Sequence, residues 1–274
     1  MSNTTLTDKF ERPLRDLRIS VTDRCNFRCT YCMPAEIFGE NYVFLNKQQI
    51  LSFEEITRLT RLIVSQGAVK LRLTGGEPLV RQQLEVLISQ LDALEGVEDI
   101  AMTTNAKLLT PEKATALRDA GLRRMTVSLD TLDEAVFQQM NGKRATVEDV
   151  LRGISVAEDA GFAPIKINCV VQKGVNDHTI VDLAALARER GYIIRFIEYM
   201  DVGTRNGWDM KHVVPAREIL ERIDARFPLE RARMNYYGEV ALRYRYADGE
   251  GEMGIIASVT QPFCGSCTRM RLSP

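Results

Sequence analysis

The chain has 274 residues, 45% of them hydrophobic and 27% charged, which fits one large α/β domain or one domain with an appendage. Its formal net charge of −1 gives no basic excess for binding nucleic acid or an anionic membrane. Residues 1–20 lack the apolar core of a signal peptide, and no apolar run approaches the ~20 residues of a membrane span. We therefore expect a cytoplasmic protein whose cysteines stay reduced.

Six short segments rich in β-branched residues are predicted to be strands. They are residues 17–21, 70–74, 100–104, 124–129, 165–171 and 193–200. The segments between them have helical periodicity, with capping boxes predicted at Ser52 and Thr131 and a first-turn proline at Pro111. Strands that alternate with helices predict a parallel sheet.

Polar and apolar residues alternate within these strands. The polar positions include Arg18, Ser20, Lys70, Arg72, Thr103, Thr126, Ser128, Lys166 and Asn168. Strands of a doubly wound sheet are buried on both faces and read as continuous apolar runs, so the alternation favours a barrel with a polar interior. In the sixth strand Arg195 and Met200 have opposite parity, which suggests a bulge. After residue 215 the pattern changes, and residues 236–258 predict an antiparallel hairpin that turns at Asp248 and Gly249.

Three cysteines follow the first predicted strand with C-x3-C-x2-C spacing: Cys25, Cys29 and Cys32. Thiolates hold iron–sulfur clusters, usually four to a cluster. Three can hold three irons of a cubane and leave the fourth iron open to a substrate. A zinc knuckle or three unrelated buried thiols are the alternatives, although zinc sites favour paired C-x2-C spacings with four ligands.

A glycine-rich turn, residues 75–78 with the sequence GGEP, follows the second predicted strand. It could be a simple β-turn. However, the turn and the cysteine loop both lie at the carboxyl ends of neighbouring strands, where barrel active sites are found. Together the two motifs resemble the signature of the radical S-adenosylmethionine superfamily.

Further segments resemble one family of that superfamily, the GTP 3′,8-cyclases, over essentially the whole chain. They are residues 12–34, 71–81, 121–133, 166–177, 195–203 and 263–273. The resemblance implies an α/β fold, an incomplete (βα)6 TIM-like barrel over residues 1–215, with residues 216–274 as an extension that covers the open side. It also implies conversion of GTP to (8S)-3′,8-cyclo-7,8-dihydroguanosine 5′-triphosphate, the first step of molybdenum cofactor biosynthesis.

The resemblance implies two 4Fe–4S clusters and S-adenosylmethionine as cofactors, with the first cluster on Cys25, Cys29 and Cys32. The implied S-adenosylmethionine residues are Tyr31, Gly75, Gly76, Glu77, Ser128 and Met200. The second cluster would use Cys264 and Cys267, which alone could also be a redox pair or half a zinc site. The family pattern is C-x2-C-x13-C, and its third cysteine would fall at position 281, past residue 274.

Basic residues on the polar strand face predict an anionic substrate, because burying unpaired cations costs several kcal/mol each. The basic residues predicted to bind GTP are Arg18, Lys70, Arg72, Lys166, Arg195, Arg269 and Arg271. The resemblance adds Thr103 and Met270 to the GTP site and assigns Arg269 and Arg271 to catalysis. Internal ion pairs with Asp130 and Glu198 are the alternative explanation for the cations. Cys169 faces the other side of its strand and is predicted to be structural.

Two other functional classes remain open from the residues alone, a radical enzyme that modifies peptides and a protein that only carries clusters. The cyclase reading implies an electron donor such as flavodoxin or ferredoxin, and a functional link to cyclic pyranopterin monophosphate synthase. It allows a homodimer. Because two thiolates leave two irons of a second cubane unprotected, we expect this chain to make some 5′-deoxyadenosine without cyclising GTP. We also expect Arg269 and Arg271 to lie on a frayed segment.

Overall fold

The computed structural model describes residues 6–202 and 207–274, so Gly203 of the segment 195–203 lies outside the described residues. Within these ranges ten strands form one sheet. The strands are β1 (Asp16–Ser20), β2 (Lys70–Thr74), β3 (Asp99–Thr104), β4 (Arg124–Ser128), β5 (Lys166–Val171), β6 (Ile193–Glu198), β7 (Leu229–Arg231), β8 (Leu242–Tyr246), β9 (Glu252–Ile256) and β10 (Arg269–Leu272).

Seven α-helices lie between the strands of the described chain. They are α1 (Phe53–Val64), α2 (Leu84–Asp92), α3 (Pro111–Asp119), α4 (Glu134–Asn141), α5 (Val147–Asp159), α6 (Ile180–Glu189) and α7 (Ala216–Asp224). None of the helices described is both long and apolar enough to cross a membrane.

The strand order is β10-β1-β2-β3-β4-β5-β6-β9-β8-β7, and β1 to β6 pair in parallel with their sequence neighbours. The prediction of an α/β fold with six parallel strands is therefore confirmed. The helices cover the apolar face of these strands, where Leu17, Leu71 and Ile167 are buried.

Two helix starts follow the sequence prediction and one differs. Ser52 and Glu55 form the capping box of α1, and Thr110 caps α3 with Pro111 in its first turn. The capping box predicted at Thr131 is wrong, because Asp133 caps α4 by accepting from the amide of Val136 at 3.0 Å. The hydroxyl of Thr131 instead accepts from the amide of Asp133.

The bulge predicted in the sixth strand is wrong as well. Residues 193–198 of β6 pair with residues 166–171 of β5 without interruption. Arg195 lies opposite Asn168 and therefore faces the same side as the other polar positions. Met200 breaks the parity because it lies beyond the end of β6.

The segment after residue 215 adds strands to both edges of the parallel sheet. The hairpin of β8 and β9 is confirmed, and β9 also pairs in parallel with β6. At the other edge, β10 pairs in parallel with β1 through four residue pairs. The expectation that Arg269 and Arg271 are frayed is wrong, because this pairing ties both residues to the sheet.

Glu198 connects β6 to the elements that follow it. Its side chain is fully buried, and its carboxylate accepts from the amides of Ala216 at 2.7 Å, Val259 at 2.7 Å and Thr260 at 2.8 Å. It therefore binds the first residue of α7 and the segment after β9, and does not neutralise the cations of the polar face.

We predict that Glu198→Ala lowers the free energy of unfolding by about 3 kcal/mol, because buried amides lose charge-assisted hydrogen bonds. Urea denaturation measures this change. Glu221→Ala on α7, where the side chain is 65% exposed, is the matched control and should cost about 0.5 kcal/mol or less. Equal losses in the two variants would show that the carboxylate of Glu198 does not hold these elements together.

Candidate active site

Two cavities lie on the polar side of the sheet. The first, here the thiol cavity, has a volume of about 250 Å³ and is lined by the three cysteines together with the ends of β2 to β6. The second, here the cation cavity, has a volume of about 400 Å³ and is lined by basic strand residues together with residues of the C-terminal segment.

The cysteine loop lies between β1 and α1, and Cys25, Cys29 and Cys32 all line the thiol cavity. Backbone hydrogen bonds from Arg28 to Asn141 and from Thr30 to Met140 attach this loop to the end of α4. The three residues predicted to hold the first cluster are therefore brought together.

The three thiols line one cavity, as the ligands of a single cluster must. Among the described residues, no three His, Cys, Asp or Glu side chains converge as they would around a single metal ion. Each thiolate of a cubane binds a different iron, so the thiols need only face one cavity. Burial raises the pKa of Cys25 to about 11 and that of Cys29 well above its usual value. A bound metal reverses this effect, because a coordinating thiol is deprotonated.

The glycine turn after β2 lies directly against the cysteine loop. A Cβ at Gly76 would stand 2.1 Å from the carbonyl oxygen of Arg24, and one at Gly75 would stand 2.4 Å from that of Thr22. The amides of Gly76 and Glu77 donate to the carbonyls of Thr22 and Arg24 at 2.7 and 2.8 Å. Only glycine permits this approach, which fixes the turn beside the first cysteine.

The carboxylate of Glu77 is hydrogen-bonded to other groups of the protein. It is buried and accepts from the hydroxyl of Thr104 at 2.6 Å and from the amides of Asn105 and Leu79 at 2.7 and 3.0 Å. Burial raises the pKa of this carboxyl group. Glu77 thus attaches the glycine turn to the end of β3, and its role in the site is to position that turn.

Tyr31, Ser128 and Asn168 line the far wall of the thiol cavity. The Tyr31 hydroxyl donates to Asp130 at 2.8 Å, and the other oxygen of Asp130 accepts from the amide of Val170 at 2.8 Å. Burial raises the pKa of Asp130 to about 6. Within the described residues, Asp130 forms no ion pair with a basic side chain. The Oδ1 atom of Asn168 is buried and has no hydrogen-bond partner among the described residues, as expected of a ligand-binding wall.

The side chains of Met200 and Met270 line neither cavity. Met200 is 40% exposed and does not line the thiol cavity. Met270 is 44% exposed, and its strand position places it on the opposite face of β10 from Arg269 and Arg271. The side chain of Met270 therefore points away from the face that carries those two arginines.

The cation cavity contains most of the predicted GTP residues. Those that line it are Arg18, Lys70, Arg72, Lys166, Arg195 and Arg269. Arg271 lies opposite Arg18 in the strand register, outside the lining. Sequence analysis missed Arg124, although it lies two residues before Thr126 and therefore on the same strand face.

The acids of this cavity were also missed by sequence analysis. Asp99 pairs with Arg124, whose Nε donates at 2.8 Å, and Glu252 pairs with Arg243. In the residues that the structure describes, Arg72 and Lys166 have no such ion pair. Arg72 instead donates to the hydroxyls of two threonines, those of Thr103 and Thr126, at 3.1 and 3.2 Å.

Burial and mutual repulsion lower the pKa of the basic groups. It falls to about 8 for Lys166, about 9 for Arg18, and about 10 for Arg72 and Arg195. Desolvation is the largest cause in each case, followed by neighbouring arginines. A polyanion in this cavity would remove the repulsion, since guanidinium and ammonium groups bind phosphate oxygens strongly.

Tyr236 covers one end of the cation cavity and was not predicted. It lies between β7 and β8, and the Nζ atom of Lys70 is 3.5 Å from the centroid of its ring. Gly238 anchors this segment, because a Cβ there would stand 2.6 Å from the side chain of Thr268. No sequence motif identifies Tyr236, since its position depends on long-range packing.

Cys264 and Cys267 lie outside the lining of the cation cavity but next to it. The Nε atom of Arg269, which lines the cavity, is 3.2 Å from the Cys267 sulfur. Burial acts to raise the pKa of Cys267, but hydrogen bonding and the charge of Arg269 outweigh it, so the pKa is lowered. The guanidinium of Arg12 donates to the carbonyl of Cys264. This setting favours a thiolate at Cys267.

Comparisons with known proteins agree with these features. The Radical SAM superfamily model matches residues 19–187, and the Molybdenum Cofactor Synthesis C model matches residues 192–274. The GTP 3′,8-cyclase of Acidothermus cellulolyticus is 56% identical over 98% of this chain and 74% of its own length. The same enzyme of Xanthomonas axonopodis pv. citri is 53% identical over 98% of this chain and 80% of its own.

Solved structures share the fold at low identity. SuiB of Streptococcus suis bound to S-adenosylmethionine matches with a TM-score of 0.63 and 19% identity, over 77% of this chain and 47% of SuiB. Methylornithine synthase matches with a TM-score of 0.60 and 14% identity, over 79% of this chain and 63% of that protein. The chain thus spans about half the length of SuiB.

The parallel sheet, the cysteine loop and the glycine turn define a member of the radical S-adenosylmethionine superfamily. The identities of 56% and 53% over nearly the whole chain make the assignment more specific. The chain belongs to the GTP 3′,8-cyclase family.

We predict that Cys29→Ser abolishes cleavage of S-adenosylmethionine, because a hydroxyl binds iron far more weakly than a thiolate. Cys169→Ser is the control, since Cys169 is fully buried outside the thiol cavity, with its sulfur 3.3 Å from the carbonyl of Asp130. That variant should keep its iron and its cleavage activity. Iron content and 5′-deoxyadenosine formation under anaerobic reduction measure both effects. Equal activity in the two variants would contradict the ligand assignment.

Proposed function

We propose that this chain converts GTP to (8S)-3′,8-cyclo-7,8-dihydroguanosine 5′-triphosphate, as the name of its family states. The observation that carries the proposal is the junction of the two cavities. Thr103 lines the thiol cavity, while its hydroxyl accepts from Arg72 of the cation cavity at 3.1 Å. An anionic nucleotide held by the basic residues would therefore lie next to the place where a radical is generated.

The thiol cavity would hold the first cluster and S-adenosylmethionine. When bound, the reduced cluster supplies the electron that splits S-adenosylmethionine into methionine and a 5′-deoxyadenosyl radical. Cys25, Cys29 and Cys32 are the proposed cluster ligands. Tyr31, Gly76 and Ser128 of the thiol cavity are proposed to bind S-adenosylmethionine, with Glu77 positioning the glycine turn. Gly75 and Met200, which lie outside the lining of the cavity, are proposed from the family resemblance.

The cation cavity would hold GTP by its triphosphate. Arg18, Lys70, Arg72, Lys166 and Arg195 offer guanidinium and ammonium donors from four strands, and guanidinium groups match phosphate oxygens two at a time. The segment Arg269-Met270-Arg271 on β10 would complete the site, with the two arginine side chains next to β1. Thr103 would contact the nucleotide at the junction. Positioning of C3′ and exclusion of water are the protein's contribution to the reaction.

The proposed architecture is an incomplete (βα)6 TIM-like barrel formed by residues 1–215 and covered by residues 216–274. Support comes from the cation cavity, because β1 and β6 line it together although four strands lie between them. Tyr236 and Glu239 of the later segment line the same cavity. A curved sheet with the extension across its open side accounts for both observations.

The proposed second cluster would be bound by Cys264 and Cys267, with a third cysteine of the family pattern at position 281. The contact between Arg269 and Cys267 supports its placement beside the nucleotide. An open iron there would hold the guanine base. The proposed setting is the cytoplasm, with flavodoxin or ferredoxin as electron donor and a functional link to cyclic pyranopterin monophosphate synthase. A homodimer is compatible with this assignment.

The proposal is tested with GTP that carries deuterium at C3′. The anaerobically reconstituted protein is incubated with dithionite, S-adenosylmethionine and the labelled nucleotide. Deuterium should appear in 5′-deoxyadenosine, because the radical takes the hydrogen from C3′. Formation of unlabelled 5′-deoxyadenosine only would agree with the expectation that Cys264 and Cys267 alone do not hold a second cluster. The same result with a chain extended to supply a cysteine at position 281 would contradict GTP as the substrate. Incubation with unlabelled GTP is the control. Incubation with a peptide in place of GTP tests the alternative that the chain is a radical enzyme that modifies peptides.

We predict that Arg72→Ala and Lys166→Ala weaken GTP binding about tenfold or more, since each removes a charge-assisted contact of ~1.5–3 kcal/mol. Binding of S-adenosylmethionine should change less than threefold by comparison, roughly within 0.6 kcal/mol. Isothermal titration with each ligand separately provides the measurement. Lys211→Ala, where the side chain is 68% exposed, should alter neither affinity. Equal losses for both ligands would indicate a general folding defect.

GTP binding should also weaken as pH rises, because Lys166 has a pKa of about 8 in the free protein. Phosphates raise that pKa by stabilising the ammonium, so binding takes up a proton above pH 8. Between pH 7 and pH 9 we expect the affinity to fall about tenfold. Titration in buffers of different ionisation enthalpy measures the proton uptake. Lys166→Arg should bind GTP with little pH dependence, and the same pH dependence in that variant would exclude Lys166 as its source.

A further inference from the structure

A basic groove lies on the outer surface of the cysteine loop, separate from both cavities of the site. We call it the outer groove and define it by Arg24, Arg28, Tyr42, Val43, Phe44 and Arg144. None of these residues lines the thiol cavity, so the cysteine loop separates the two spaces. Its residues belong to the segment between β1 and α1 and to the turn after α4.

Arg28 connects the outer groove to the cluster ligands. Its Nη1 atom donates to the carbonyl oxygens of Cys25 and Phe27, both at 2.8 Å. Its Nε atom donates to the carbonyl of Phe38 at 2.6 Å. One side chain thus lines the outer groove and contacts the backbone of the first cysteine, which places the groove within a few bonds of the proposed cluster.

The charge of the outer groove is mostly uncompensated. Within residues 6–202 and 207–274, Arg24, Arg28 and Arg144 take part in no ion pair with a carboxylate. Arg24 and Arg28 instead lie over the ring of Phe44, with 6.0 and 5.4 Å from the guanidinium carbon to the centroid. Glu40 is the carboxylate in the lining.

An exposed apolar side chain lies among these charges. Val43 is 90% exposed, although the aromatic rings of Tyr42 and Phe44 on either side of it pack 4.7 Å apart. An exposed apolar residue among arginines that have no carboxylate partner is typical of a surface that contacts an acidic protein. The cavities proposed for S-adenosylmethionine and GTP lie on the inner side of the loop. A partner bound on the outer side would therefore not compete with either ligand.

We propose that the outer groove docks a small acidic electron-carrier protein, which delivers its electron to the first cluster from outside the site. This inference rests on one part of the proposed function, the reducible cluster on the cysteine loop, because only a cluster that is reduced in each cycle needs such a partner. The carrier loses one electron and the cluster gains one, without a bond being made or a proton being moved. Charge attraction would orient the carrier and raise its association rate.

The test reverses the charge of the outer groove at positions that hold no ligand. Val43→Glu and Arg144→Glu place negative charge where the carrier would sit, and both side chains are exposed. Val86→Glu on α2, where the residue is 43% exposed, is the same substitution outside the groove. Val43→Lys is the control with the opposite sign. Binding of a bacterial flavodoxin to the reconstituted, oxidised chain is measured by isothermal titration at low and high salt.

We expect Val43→Glu and Arg144→Glu each to weaken flavodoxin binding about tenfold at low salt, and less at high salt, because salt screens these charges. Val43→Lys should bind at least as well as the unaltered chain, and Val86→Glu should bind equally well. Formation of 5′-deoxyadenosine should fall with reduced flavodoxin as donor but not with dithionite, a small reductant that needs no docking surface.

Unchanged flavodoxin affinity in Val43→Glu and Arg144→Glu would overturn the proposal. An equal loss in Val86→Glu would do the same, since it would indicate a general effect of charge. The binding measurement decides the question without turnover, even for a variant that loses dithionite-driven cleavage. A chain that fails to cyclise GTP but binds flavodoxin through the outer groove would overturn the proposed function and leave this inference standing.

Discussion

The cost of burying positive charge is the constraint on which the rest of the site depends. Arg72 and Lys166 lie deep on the polar face, and burial lowers the pKa of both. Carboxylates compensate only part of the set, as the pairing of Asp99 with Arg124 shows. The remaining buried cations lower the stability of the free protein, and an anionic ligand would stabilise them. The same charges therefore cost folding stability without a ligand and add affinity when one is bound.

The parallel sheet and the cluster loop could be predicted because their signals are local. Alternating residues identified the polar face, and the spacing of Cys25, Cys29 and Cys32 identified the loop. The acids were missed because Asp99 lies at the start of β3, where the polar alternation is not evident. Tyr236 was missed because its place over Lys70 depends on packing between segments that are distant in sequence.

The errors made from the sequence have a common physical cause. The bulge in β6 was inferred from Met200, which lies past the end of the strand. The frayed segment at Arg269 was inferred from its position in the chain, whereas pairing with β1 decides its order. The capping box at Thr131 was inferred from spacing alone, whereas Asp133 caps α4 in the structure. In each case tertiary contacts outweighed the local pattern.

The pairing of β10 with β1 also bears on how the protein is made. Thr268, next to β10, hydrogen-bonds to Asp16 across 252 residues of sequence. During synthesis on the ribosome, β1 to β6 emerge long before the strands that cover their two edges. The cysteine loop and glycine turn can therefore associate early, whereas the cation cavity is completed only after β10 has emerged. A nascent chain would expose two unpaired strand edges throughout that interval, and these are the surfaces that chaperones must protect.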